Sequence, residues 1–158
     1  MKDSNFLKEN NARHMWHPMA HPADSLANPP KIIVGGEGVR ITDVDGKQTL
    51  DAVGGLWNVN LGFSCKPVKE AIAAQLGALP YYSTFRGTSN DAAIELSYML
   101  REFFAPDGLT RAFFTSGGSD SVETALRLAR QYHKVRGEPG RVKYLSLKKG
   151  YHGTHFGG

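Results

Sequence analysis

Thr115-Ser116-Gly117-Gly118-Ser119-Asp120-Ser121-Val122-Glu123 is the stretch of this chain that decides its fold class. The apolar run from Arg111 to Thr115 leads into it and predicts a short buried strand. A helix is predicted after the glycine pair, because apolar residues recur there at helical spacing, namely Val122, Ala125, Leu126 and Ala129. Val142 to Leu147 predicts a further strand, so the order is that of one βαβ unit, with parallel strands and a right-handed crossover. Only Lys148 to Gly158 follow, and the parallel sheet is therefore predicted to be unfinished.

The turn between the first strand and the helix has the features of a phosphate-binding site. Unpaired N–H groups and the positive end of the dipole lie at a helix N-terminus. Gly117 and Gly118 let the backbone approach phosphate oxygens closely, and Ser119 can donate a further hydrogen bond. The alternative is that the turn only caps the helix, with Asp120 as N-cap and Glu123 answering it in a capping box. The spacing alone favours this alternative. The sequence of the turn matches neither a Walker A loop, nor G-x-G-x-x-G, nor G-x-S-x-G.

The composition is that of a globular protein, with 41% hydrophobic and 22% charged residues. The net charge of +4, from 19 Lys and Arg against 15 Asp and Glu, comes without a run of like charges. A small anionic ligand is therefore expected, and nucleic-acid or membrane binding is not. No stretch approaches the roughly 18–20 apolar residues of a membrane span, and the N-terminus lacks a signal-peptide core. The single cysteine, Cys65, fits a reducing compartment, so we predict a cytoplasmic protein.

The part of the chain before residue 60 predicts an arm and a small antiparallel element. Residues 1–30 are polar and rich in proline, which indicates an irregular arm that takes its order from a partner surface. From Lys31 to Ala52, apolar and polar residues alternate around Asp45-Gly46, which predicts a β-hairpin. A metal site is not expected in the arm, because prolines interrupt the spacing of its histidines, His14, His17 and His21.

Two further helices are predicted before the glycine pair. Lys66-Pro67 is expected to open the first, since proline is tolerated in a first turn. Its apolar stripe is predicted to be core: Val68, Ile72, Leu76 and Leu79. Ser89-Asn90-Asp91 supplies cap residues for the second, whose apolar face consists of Ala93, Leu96, Leu100 and Phe103.

A resemblance to a known family rests on three motifs. FFTSGGSDSVETALRLAR, preceded by DVDGKQTLDAVGGLWNVNLGF and followed by KKGYHG, is similar to class III aminotransferases, the ω-amino-acid transaminase group. The resemblance implies that Gly117, Gly118 and Ser119 hold the phosphate of pyridoxal 5'-phosphate. The usual family pattern is Ser-Gly-Ser, so one side-chain donor is missing here. Asp120 stands where the family more often has glutamate.

The resemblance also implies roles for residues outside the turn. Tyr151, followed by His152, is expected to pack against the cofactor ring, an offset stack worth about 0.5–1.5 kcal/mol beyond burial. Trp57 is expected to line the substrate pocket. Phe85 and Arg86 match a loop that reaches the active site of the neighbouring subunit.

The fold and the activity implied by the resemblance are those of a larger enzyme. The fold is α/β, a PLP-dependent transferase of fold type I, incomplete in this chain: 1–30 is the arm, 31–80 the N-terminal part of the small domain, and 81–158 the start of the large domain with its mostly parallel sheet. The expected assembly is a homodimer with active sites at the interface. The expected reaction moves an amino group from an ω-amino acid or amine to a keto acid such as pyruvate.

The lysine that carries this chemistry lies beyond Gly158 in the family, where it forms a Schiff base with the cofactor. The 158-residue chain alone is therefore expected to be inactive. Two alternatives stay open: a non-catalytic phosphate-binding or interaction fragment, and another class III enzyme such as an aminomutase or decarboxylase.

Overall fold

The computed structural model describes residues 3–157, which divide into two compact units. The first unit ends at Tyr81 and contains these elements in chain order: α1 (Ser4–His14), α2 (Pro22–Ala27), β1 (Ile33–Glu37), β2 (Arg40–Asp43), β3 (Gln48–Leu50), α3 (Gly54–Trp57) and α4 (Lys66–Ala78). The second unit begins at Tyr82 and contains α5 (Asp91–Phe103), a 3-10 turn (Ala105–Asp107) and α6 (Gly118–Val135).

The arm is helical, so the prediction of an irregular segment was wrong for its described part. Asp3 caps α1 by accepting a hydrogen bond from the backbone N–H of Asn5 at 3.3 Å. Pro22 occupies the first turn of α2, where its missing N–H is no loss, and His21 caps that helix from its side chain. The prolines of the arm predict a break in regular structure, whereas Pro22 stands at the start of a helix.

The predicted hairpin is confirmed as β2 and β3, and β1 adds a third antiparallel strand in the order β1-β2-β3. Gly46 has a φ of 80°, the left-handed conformation that the turn requires. Asp43 is buried, and its side-chain oxygen accepts hydrogen bonds from the N–H groups of Asp45 and Lys47 at 3.1 and 2.9 Å. The turn therefore has its own internal stabilisation.

The short element α3 has a left-handed backbone. Its four residues have φ values of 57, 58, 59 and 67°, and Leu56 lies at φ 59°, ψ 55°, near the ideal left-handed helix. The carboxylate of Asp51 accepts two backbone hydrogen bonds from this turn, at 3.2 and 2.7 Å. Because this conformation costs about 1–2 kcal/mol for each non-glycine residue, Leu56 and Trp57 are held under strain.

The predicted helices are confirmed, but the predicted core of α4 is not. The side chain of Asn90 caps α5 by accepting from the N–H of Ala93 at 2.9 Å. In α4 the residues predicted as core are largely exposed, with Ile72 56% and Leu76 58% accessible. Leu79 lies just past the end of α4, as its C-cap.

The predicted βαβ unit lacks its strands. Within residues 3–157, neither 111–115 nor 142–147 pairs with another strand, although α6 lies between them as predicted. A strand is stabilised by the ladder with its neighbours, and the parallel sheet that would supply them has no other member in this chain. Phe113 and Leu147, one from each segment, are accordingly 72% and 85% exposed.

The described residues contain no buried hydrophobic side chain. The chain exposes 13737 Å² of surface, whereas even two separate compact domains of half its mass would together expose about 9,400 Å². The helices and the small sheet are therefore held mainly by local hydrogen bonds and caps, and their apolar faces are open to a partner.

Candidate cofactor-phosphate site

The N-terminus of α6 is open to a ligand. The helix begins at Gly118, its N-cap is Gly117 with φ −179° and ψ 177°, and no side chain caps it. Among the described residues, the N–H groups of Gly118, Ser119 and Asp120 have no recorded acceptor. Three donors at the positive end of an 18-residue helix therefore lack a protein acceptor within residues 3–157.

The capping alternative is wrong in its details. Asp120 lies within the first turn and is not the N-cap. Glu123 does not complete a capping box, because its Oε2 accepts from the N–H of Gly157 at 3.0 Å. The turn is thus not self-satisfied in the way that the spacing alone suggested.

The two glycines of the turn are not required by the fold itself. Gly117 is extended and Gly118 is helical, so neither has the positive φ that favours glycine. A Cβ built on either residue would meet no described atom within 4 Å. Space in front of both residues is therefore free for phosphate oxygens to approach the backbone.

The hydroxyl of Ser119 is oriented by a residue 35 positions away. The backbone N–H of Thr154 donates to Ser119 Oγ at 3.0 Å, and Thr154 Oγ1 lies 3.4 Å from the same oxygen. Ser119 Oγ accepts from the N–H of Thr154, so its own proton can be donated either to Thr154 Oγ1 or to an acceptor in front of the turn.

The segment after Tyr151-His152 lies against the first turn of α6. Gly153 has a φ of 115°, and a Cβ on it would come within 3.0 Å of Ser119. His155 Nδ1 lies 3.4 Å from Asp120 Oδ1. The carboxylates of Asp120 and Glu123 are thus both engaged by residues of this segment.

The predicted ring contact, Tyr151, lies just before this segment in the chain. Its side chain is 81% exposed, so one face is free for a planar ligand. His152 is exposed as well, and its ring lies beside Gly150, where a Cβ would approach Nε2 within 2.6 Å.

The predicted substrate residues lie on irregular or strained backbone. Trp57, in the first unit, belongs to the left-handed turn α3 and is 78% exposed. Phe85, in the second unit, is 80% exposed, and Arg86 has a φ of 38°. Within the described part of the second unit, no hydrogen bond or ion pair is recorded between either side chain and residues 115–121.

Three hydroxyl residues at the turn were missed by sequence reasoning. Thr154 orients Ser119, and Thr115 and Ser121 bond to each other beneath the turn at 2.5 Å. Thr115 and Ser121 flank the glycine pair in the sequence, which could have suggested them. Thr154 gives no such local signal, because its contact joins residues far apart in the chain.

Residues 3–157 contain neither a metal-binding cluster nor a membrane-spanning helix. Across residues 3–157, no group of three or more His, Cys, Asp or Glu side chains is placed to hold a metal ion. In the same range, no helix is both long and apolar enough to cross a membrane.

Comparison with known proteins places these features in a family. The family model for class-III aminotransferases matches residues 22–158. The chain therefore belongs to the class-III aminotransferase family, and it carries an N-terminal portion of the fold-type-I architecture.

Individual relatives agree with this assignment. An amine transaminase from an uncultivated Pseudomonas species, solved in its PLP-bound form, is 50% identical with a TM-score of 0.87, over 92% of this chain and 33% of that one. An (S)-enantioselective omega-transaminase from Thermomicrobium roseum is 38% identical with a TM-score of 0.91, over 97% of this chain and 34% of that one. The uncharacterized aminotransferase YhxA of Bacillus subtilis is 41% identical over 153 residues, 96% of this chain and 32% of the relative. The chain thus spans about a third of the length of the relatives it matches.

Proposed function

We propose that the complete protein is a pyridoxal-phosphate-dependent aminotransferase, which moves an amino group from an ω-amino acid or amine to a keto acid such as pyruvate. The observation that carries the proposal is the uncapped N-terminus of α6 in a class-III chain. The reaction class is that of the amine transaminase and the omega-transaminase among the similar structures.

The residues at the turn fit a phosphate group. The N–H groups of Gly118, Ser119 and Asp120 lack a recorded acceptor among the described residues, and the space at Gly117 is free. Each charge-assisted hydrogen bond to a phosphate oxygen contributes about 1.5–3 kcal/mol. The carboxylates of Asp120 and Glu123 contact His155 and the N–H of Gly157, so both negative charges lie toward residues 155–157.

The remaining site residues are assigned to binding and positioning. Ser119 donates to the phosphate, and Tyr151 with His152 contacts the ring of the cofactor. Trp57 contacts the substrate, and Phe85 and Arg86 complete a pocket across a homodimer interface. When bound, the cofactor supplies an electron sink that a protein side chain cannot provide.

Organisation and location complete the proposal. Residues 1–30 form an arm, 31–80 the beginning of the small domain, and 81–158 the beginning of the cofactor-binding domain. The protein is assigned to the cytoplasm, with a single unpaired cysteine in keeping with a reducing compartment.

Cofactor retention by the complete natural protein tests the proposal. Pyridoxal phosphate is added, the protein is reduced with borohydride, and peptide mapping locates the label, which we expect on one lysine beyond Gly158. Gly118→Val should weaken cofactor binding strongly, because its side chain fills the space in front of the N–H groups. Gly77→Val is the matched control, since Gly77 is also a helical glycine with no described atom within 4 Å of a built Cβ.

Two results would overturn the proposal: a complete protein that does not retain pyridoxal phosphate, and a Gly118→Val variant that binds it as tightly as the parent. A labelled protein that decarboxylates or isomerises its substrate without transferring the amine would instead indicate an aminomutase or decarboxylase.

A further inference from the structure

We propose that Thr115 and Ser121 form a hydroxyl pair that positions the phosphate turn, and that neither residue is itself a phosphate ligand. The inference rests on the proposed function, because it concerns how this chain holds its turn ready for the cofactor phosphate. It assigns a role to two residues outside the Gly117, Gly118 and Ser119 set.

The pair lies directly beneath the turn. Thr115 Oγ1 and Ser121 Oγ are 2.5 Å apart, and each lies 3.1 Å from the carbonyl oxygen of Gly117. The backbone N–H of Ser121 also donates to that carbonyl, at 3.0 Å. The residue before the turn and the residue one helical turn after it thus converge on a single carbonyl.

The two hydroxyls of the pair use both of their protons in hydrogen bonds within the turn. Each hydroxyl carries one proton, so the pair has two. One proton lies between the two oxygens, and the other is donated to the Gly117 carbonyl, whichever hydroxyl takes which role. No proton is left for a phosphate oxygen, so these side chains do not replace the serine donor that the family usually has at position 117.

The consequence for the turn is a fixed direction of its peptide groups. The carbonyl of Gly117 is held in position by the hydrogen bond that it accepts from the backbone N–H of Ser121. Because neither Gly117 nor Gly118 has a Cβ, the turn has more conformational freedom than one with a side chain at position 117. The hydroxyl pair restricts that freedom, and the N–H groups of residues 118–120 then keep their direction toward the phosphate position.

The test compares a ligand that has a phosphate with one that lacks it. In the complete protein, binding of pyridoxal phosphate and of pyridoxal is measured by fluorescence titration for Thr115→Val, Ser121→Ala and the double variant. We expect each single variant to weaken pyridoxal-phosphate binding by about fivefold or more, the size of one ordinary hydrogen bond, with pyridoxal binding unchanged. The double variant should bind pyridoxal phosphate as tightly as the single variant with the lower affinity, because the two hydroxyls act as one unit.

Conservative and matched variants exclude a general structural effect. Thr115→Ser and Ser121→Thr keep both hydroxyls and should bind both ligands as the parent does. Ser97→Ala removes a similar hydroxyl-to-carbonyl bond, from Ser97 Oγ to Ile94 O at 2.7 Å in α5, and should leave both affinities unchanged. Ser121→Ala places a strong helix former in the first turn of α6, so folding is preserved.

Each contrary outcome has its own meaning. Three results would overturn the positioning role and leave the proposed function standing. They are an equal loss of affinity for both ligands, additive losses in the double variant, and unchanged affinities in the single variants. A parent protein that binds pyridoxal phosphate no better than pyridoxal would overturn both.

Discussion

Gly117 stands where the resemblance to class III aminotransferases implies the first serine of Ser-Gly-Ser. Its extended φ suits any residue, and a Cβ there would meet no described atom within 4 Å. We expect Gly117→Ser to strengthen pyridoxal-phosphate binding by about tenfold or more, since a hydrogen bond to a charged group contributes about 1.5–3 kcal/mol. Equilibrium titration of the complete protein measures this.

Gly117→Ala is the control for that substitution. It adds the Cβ without the hydroxyl, so affinity should stay at or below that of the parent. If alanine and serine raise the affinity equally, the gain comes from a stiffer backbone and not from a new donor.

Sequence reasoning placed the turn within one or two residues of the observed start of α6 at Gly118, but it misjudged the surroundings of the turn. The position of the glycine pair and Ser119 at the start of a helix could be predicted because a strand-to-helix turn depends on local sequence, and their phosphate-binding role stays a prediction. The capping alternative failed since Glu123 bonds to Gly157, a partner 34 residues away that local spacing cannot show. Thr154 was missed for the same reason.

At the level of elements, the left-handed turn α3 allows two adjacent glycines to be compared. Gly54→Ala and Gly55→Ala both place a side chain at positive φ, and both should destabilise the complete protein. Gly55→Ala should be worse by about 1 kcal/mol or more, because its Cβ would lie 2.7 Å from Val59 Cγ2, whereas at Gly54 the nearest described atom is 3.8 Å away. Thermal or urea unfolding measures the difference.

The Val59→Ala background checks the cause of that difference. Truncating Val59 removes the methyl group that the new Cβ meets, so the two alanine variants should become nearly equal. A difference that persists unchanged would place the strain in the backbone of residue 55.

The C-terminal end of α6 has a pH-dependent interaction. A hydrogen bond with His133, at 2.7 Å, lowers the pKa of Glu138 below 4.5, and Arg141, at 3.2 Å, lowers it further, against an opposing effect of desolvation. A lowered carboxyl pKa gives stability that is present above the unfolded value and is lost as the pH falls through the folded value. We therefore expect this end of the helix to loosen progressively as the pH falls from about 4.5 through the lower folded pKa of Glu138.

Carboxyl NMR titration of the complete protein checks the order of causes. His133→Ala should move the Glu138 midpoint toward 4.5 by more than Arg141→Ala does. A larger effect of Arg141 would contradict the assignment.

The helices α4, α5 and α6 were predicted well, whereas the helices of the arm were missed and the predicted parallel strands did not form. The caps of α5 and the proline start of α4 act within a few residues, so sequence contains their causes. A parallel strand needs neighbours contributed by distant segments. The runs 111–115 and 142–147 have strand-like sequences without such neighbours among the described residues, and they stay unpaired.

For the molecule as a whole, the apolar faces dominate behaviour in solution. Residues such as Leu145, Leu147 and Phe156 are 102%, 85% and 107% exposed, and no hydrophobic side chain is buried in residues 3–157. We expect a polypeptide of residues 1–158, produced alone, to associate and to bind a hydrophobic dye strongly. Analytical ultracentrifugation and dye fluorescence measure both properties, and a monodisperse monomer with a cooperative melt would contradict the expectation.

The backbone of α3 has a stereochemical consequence. Left-handed dihedral angles are unfavourable for L-residues because the Cβ approaches the following carbonyl, and mirror symmetry makes the same angles favourable for D-residues. A semisynthetic protein with D-leucine at position 56 would therefore keep the turn without its strain while redirecting the isobutyl group. Comparing L-leucine and D-leucine at position 56 would then separate two properties of the turn: the strain in its backbone and the direction of its side chain.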